Sequence, residues 1–127
     1  MNYINVAPLT AGVPVLAVMN GTTQSAYYSF VVPPHAFDLT VVAVGDSGDP
    51  DQYIGFGYIP TTDTYTYRNN SSGTSSCITV TTPPSGSYYY YLRRYSNGST
   101  VFKTAFFINS RLGCNSLPGY KRSRFYN

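Results

Sequence analysis

Residues 87–108 read SYYYYLRRYSNGSTVFKTAFFI, and the fold class follows from their alternation. One set of alternate positions is Tyr88, Tyr90, Leu92 and Arg94; the other is Tyr89, Tyr91, Arg93 and Tyr95. Successive side chains of a strand point to opposite faces, so one aromatic set enters a core and the other lies on or near a surface. Leu92 places the even-numbered set inward. After the turn SNGS the alternation resumes, with Phe102, Thr104, Phe106 and Ile108 the better core face against Val101, Lys103, Ala105 and Phe107. Aromatic and β-branched residues at period two, bounded by Asn, Gly and Ser, describe strands.

The same pattern extends outward along the chain. Candidate strands cover residues 3–6, 13–19, 26–32, 37–44, 52–58, 64–68, 77–82, 87–95 and 100–108, separated by NGTT, VPPHA, GDSGDP, PTTD, NNSSG, TPPSG and SNGS. Short strands at that spacing predict an all-β, jelly-roll-like sandwich of about eight antiparallel strands. With 127 residues the chain has room for one core. We divide it into an N-terminal extended segment (1–12), the sandwich (13–108) and a basic extended tail (109–127). Composition agrees: 14 Tyr and 7 Phe stand against no Trp, no Glu and 10% charged residues, which disfavours helices.

Charge is unevenly placed. Through residue 110 four basic residues face five Asp, whereas Arg111, Lys121, Arg122 and Arg124 follow with no acid among them. A basic end of this size reads as a solvated terminus and not as a nucleic-acid site. One histidine (His35, in the turn VPPHA), no Glu and no GxSxG setting leave little for acid–base or nucleophilic catalysis. No apolar run is long enough to span a membrane. Residues 1–20 lack the form of a signal peptide, so a secreted reading takes the numbered chain as a mature form or a fragment.

The abundance of Thr, Ser and Tyr with few Lys is the style of an extracellular protein. Cys77 and Cys114 then predict a disulfide tying the start of the tail to the domain, with two free thiols as the alternative. N-x-[ST] sequons at Asn20, Asn69, Asn70 and Asn97 lie in turns and are candidate glycosylation sites in a eukaryotic secretory source. Asp46, Asp49 and Asp51 fall within six residues and repel one another unless neutralised, which suits Ca²⁺. The EF-hand spacing is absent, so distant groups such as Asp63 or Asp38 would complete the shell. Asp, Gly and Pro are also ordinary turn formers, and that alternative stands beside the metal.

Three stretches in order resemble a known family. GVPVLAVMNGTTQSAYYSFVVPPHAFDLTVVAVG supplies a Tyr-x-Phe strand, a Pro turn and a Leu-Thr-Val strand. GDSGDPDQYIGFGYIPTTDTYTYR and PPSGSYYYYLRRYSNGSTVFKTAFF follow it. Together, from Val13 to Phe107, they resemble the bacterial pre-peptidase C-terminal domain family, small β-sandwich modules appended to secreted proteases and collagenases. Gln52 stands where Leu is usual, and the Cys common near "YR" is missing. The resemblance implies a non-catalytic module, often calcium-stabilised, with some members binding collagen or polysaccharide.

Two functions are then expected. In the first, the chain is an extracellular, calcium-stabilised and glycosylated structural subunit that self-assembles into a fibre or surface layer. Its terminal segment, with Arg111, Leu117, Tyr120, Phe125 and Tyr126, docks on the neighbouring copy. In the second, it binds a polysaccharide or collagen-like polymer through the stripe Tyr89, Tyr91, Arg93 and Tyr95.

Overall fold

The computed structural model describes residues 4–95 and 100–121. Among these the strands are β1 (Val6–Pro8), β2 (Val15–Met19), β3 (Ser25–Val32), β4 (Asp38–Gly45), β5 (Pro50–Phe56), β6 (Tyr67–Asn69), β7 (Ser75–Thr81), β8 (Gly86–Arg94) and β9 (Thr100–Ile108). They form two sheets packed as a β-sandwich, β1-β3-β8-β5-β6 in one and β2-β9-β4-β7 in the other. The expected strand at 64–68 shortens to β6 because Thr61 organises a turn first. Its hydroxyl accepts from the Asp63 and Thr64 amides, and its own amide donates to Thr64 O.

The N-terminal segment differs from expectation. β1 pairs with β3 in parallel, from Val6↔Tyr27 to Pro8↔Ser29. Leu9 then donates its amide to Ser29 O and buries its side chain in the core. The sandwich therefore starts before Val13. A leucine side chain moved from water into the core contributes about 1.5–3 kcal/mol.

Between the sheets the even-numbered face of β8 is inward, and Tyr88, Tyr90, Leu92 and Arg94 are all buried. Phe30 stacks on Tyr88 at 5.3 Å and on Phe106 at 4.4 Å, joining both sheets. Tyrosine hydroxyls placed this deep must be paired. Tyr88 donates to Pro84 O at 2.6 Å. The Tyr90 hydroxyl accepts from Gln52 Nε2 and lies 2.8 Å from Thr104 Oγ1, which donates to Val42 O. Gln52 also donates to Val41 O and accepts from the Ser76 hydroxyl. A Leu in place of Gln52 would take one hydrogen-bond partner each from Tyr90 and Ser76. Arg94, 1% exposed, donates to Met19 O and Gly21 O, clamping the β2–β3 turn to the end of β8.

The tail is not extended. Residues 109–121 fold back over the outer face of the second sheet through a 3₁₀ turn at Gly113–Ser116. Leu117 is fully buried against Val42 and Ala105, with Tyr120 packed beside them. A disulfide joins Cys77 of β7 to Cys114, with 5.9 Å between the Cα atoms. The Lys121 amide donates to Ser75 Oγ. Leu117 and Tyr120, expected to dock on a neighbour, are thus used within their own chain because Val42 and Ala105 leave an apolar hollow there. Arg111 is exposed, and Phe125 and Tyr126 lie outside the described residues. Replacing both cysteines by Ser is expected to lower stability by about 2–4 kcal/mol and to open residues 109–121 to protease. Chemical denaturation measures the first; an unchanged midpoint would mean that Leu117 and Tyr120 hold the tail unaided.

Candidate binding face

The odd-numbered face of β8 looks away from the core, and the register sets what stands beside it. Tyr91 lies opposite Tyr27 of β3 and Tyr53 of β5, while Arg93 lies opposite Ser25 and Asp51. Ring centroids are 4.8 Å apart for Tyr27–Tyr91, 5.5 Å for Tyr53–Tyr91 and 5.8 Å for Tyr53–Tyr65. Four tyrosines from β3, β8, β5 and the segment before β6 therefore make one row across the sheet. Arg68 sits over the Tyr65 ring at 5.1 Å, and Arg93 over Tyr95 at 5.6 Å. Such cation–aromatic contacts hold flat groups in place at modest energy.

The row corrects the expected stripe. Tyr91 is 9% exposed because Tyr27 and Tyr53 cover its two sides, and Tyr89 is half-buried. Tyr95 is the most open of the four, at 65%, and Arg93 is partly open. The accessible surface is carried by Tyr27, Tyr65, Arg68, Arg93 and Tyr95. Tyr27, Tyr65 and Arg68 were not singled out by sequence reasoning, since strand order and register decide which rings are neighbours. Gly55 helps shape one end of the face. A Cβ there would collide with the Tyr58 carbonyl, so the β5–β6 loop folds tightly over the sheet only because this residue is Gly.

Of the aspartates expected around a cation, Asp49 and Asp51 come together. Asp46 is exposed on the outer side of the other sheet, beside Lys103, and Asp63 is exposed in the β5–β6 loop. Among the described residues no three His, Cys, Asp or Glu side chains form a metal-binding group. Asp51 is 3% exposed and lies 3.6 Å from the Arg93 guanidinium. The Oδ1 atoms of Asp49 and Asp51 are buried and find no hydrogen-bond partner among the described residues. Burial pushes the Asp51 carboxyl up to about 6; the Asp49 charge adds to this, and Arg93 opposes it. Burial also raises Asp49.

The sequons separate as well. Asn20 and Asn70 are exposed, whereas Asn69 is half-buried, its Nδ2 donating to Cys77 O at 2.8 Å. Asn97 lies outside the described residues. His35 is an exposed turn residue with φ 67°.

No family model matches the chain. Over 93 residues, 73% of its length, it is 39% identical to alkaline serine exoprotease A of Vibrio alginolyticus, of which it spans 17%. Its structure resembles the pre-peptidase C-terminal domain of a Bacillus anthracis collagenase. The TM-score is 0.65 and the identity 13%, over 84% of this chain and 98% of that one. It also resembles PliG of Aeromonas hydrophila, a periplasmic inhibitor of g-type lysozyme. That match has a TM-score of 0.52 and 17% identity, over 82% and 96% of the two chains.

The raised Asp51 carboxyl has a defined pH consequence. A carboxyl that ionises less readily folded than unfolded costs stability above about pH 6, and the cost fades as pH falls toward the ordinary value of 3.8. Asp51→Asn is expected to raise the melting temperature at pH 7 and to bring no gain at pH 4. A gain of the same size at both values would contradict the assignment.

Proposed function

We propose that the chain, whose fold is that of a pre-peptidase C-terminal domain, is a module of that family, non-catalytic and extracellular, that binds a polysaccharide or collagen-like polymer. The observation that carries this reading is the Tyr27–Tyr91–Tyr53–Tyr65 row with Arg68 and Arg93 beside it. Sugar rings and proline-rich chains offer flat apolar faces with polar edges. A wall of phenol rings flanked by guanidinium groups complements both. A row that crosses several strands also suits an extended ligand better than a compact one. Assembly into a fibre through the tail has less support, because Leu117 and Tyr120 are already occupied.

Affinity electrophoresis and pull-down on insoluble polysaccharides and on collagen fibrils test the reading. The native chain is expected to be retained on at least one polymer. The double variant Tyr27→Ala/Tyr65→Ala, which removes two accessible rings, should weaken retention by about tenfold or more. Retention on none, or unchanged retention of the variant, would refute it.

Calcium stabilisation and N-glycosylation belong to the same proposal. The two Oδ1 atoms of Asp49 and Asp51, without a partner among the described residues, are hard donors suited to part of a calcium shell. Exposed Asn20 and Asn70 are the sequons open to a glycan. Added Ca²⁺ should raise the melting temperature and chelator reverse it, and Asn70→Gln, unlike Asn69→Gln, should remove a glycosidase-sensitive mobility shift from secreted eukaryotic material. Indifference to either treatment would remove that part.

A further inference from the structure

We propose that the groove between β6 and β7 is a subsite for the carboxylate of an acidic polysaccharide, with Arg68 as its cation. This rests on the polymer-binding reading and extends it from the tyrosine row to the seam where edge strands of the two sheets meet. The groove, of about 370 Å³, is lined chiefly by Tyr67, Arg68, Asn69, Ser71 and Thr79. One guanidinium, two hydroxyls and an amide stand there beside a half-buried ring, so the lining is mainly polar. Its floor is built in advance. Asn69 crosses the seam, its Nδ2 donating to Cys77 O at 2.8 Å and its Oδ1 accepting from the Ser71 amide at 3.0 Å. Cys77 is held in turn by its disulfide to Cys114. A recess with a fixed floor binds without first having to be ordered.

Arg68 stands where the row and the groove meet. It lies opposite Tyr53 across β5 and β6, with its guanidinium over the Tyr65 ring at 5.1 Å. It is exposed, and among the described residues the only ion pair is Arg93–Asp51. A guanidinium held against a ring keeps its outward N–H groups for a ligand, and its planar fork matches a planar carboxylate. The charge pattern then selects the polymer. Of the two cations on this face one is already paired, which suits a ligand whose acid groups are sparse and set apart by flat rings. An acidic polysaccharide has that form: sugar rings lie on Tyr27 and Tyr65 while a carboxylate reaches Arg68. Nucleic acid is charged at every nucleotide and gains affinity from many neutralised phosphates. A collagen rod is three chains thick and would lie across the row without entering the groove. A neutral polysaccharide would leave the guanidinium unmatched.

Affinity electrophoresis through gels holding matched polymers tests the subsite. The pairs are partly against fully methyl-esterified polygalacturonate, and carboxymethylcellulose against hydroxyethylcellulose. The native chain is expected to bind the acidic member of at least one pair about tenfold more tightly than its neutral counterpart. Arg68→Gln and Thr79→Asp, both at exposed positions, should abolish that difference and keep the native circular dichroism. Arg111→Gln removes the same charge from the exposed tail on the other sheet and should preserve it. Tyr27→Ala/Tyr65→Ala should weaken binding to both members of a pair. Equal binding to acidic and neutral members would overturn the subsite and leave polymer binding standing. The subsite also fails if Arg111→Gln loses as much as Arg68→Gln, or if collagen or duplex DNA binds more tightly than every acidic polysaccharide. Retention on no polymer of any kind would remove both readings.

Discussion

The hydroxyl of Tyr90, fully buried between two sheets, is the constraint on which much of the structure depends. An aromatic ring there fills the core, but its oxygen must be paired or the burial is lost. Gln52 from β5 and Thr104 from β9 meet it, and through Val41, Val42 and Ser76 they reach β4 and β7. Five strands from both sheets thus share one polar knot inside an apolar core. The knot fixes the relative placement of the sheets in a way that rings alone would not, because hydrogen bonds are directional while apolar contact is tolerant. Phe30, stacked between Tyr88 and Phe106, adds area around it.

With the inner face of β8 committed to that knot, its outer face carries tyrosines that the core does not use. They gather into a row because β3 and β5 present Tyr27 and Tyr53 at the same register. The row is rigid, since each central ring is held by neighbours, and accessible at its ends. Beside the middle of the row, two residues along β8 from Tyr91, Arg93 is tied to Asp51, whose carboxylate is held in a poorly solvated position beside Asp49. Charge and ring surface are therefore mechanically linked on this face.

The two outer faces of the sandwich have different solutions. On the second sheet the tail supplies a small additional core around Leu117, closed by Cys77–Cys114. That cover reaches Val42 and Ala105 but leaves Leu16, Val18 and Val101 open to solvent. The boundary between covered and open parts lies along the groove beside Pro118 and Gly119.

The sequence by itself determined the all-β class, the inward face of β8 and β9, and the family likeness. Those depend on a period of two and on turn residues, which are local. It did not reveal that Tyr91 is covered, that Tyr27 and Tyr65 extend the row, or that Asp46 and Asp63 stand apart from Asp49 and Asp51. Each of these depends on strand order and register, which bring residues dozens of positions apart into contact. The path of the tail was hidden for the same reason. NSRLGCNSLPGYK has no period, and Leu117 became a core residue only when Val42 of β4 and Ala105 of β9 were laid side by side to receive it. Local chemistry chose the strands; which surfaces they covered, and which they left open, was decided by non-local packing.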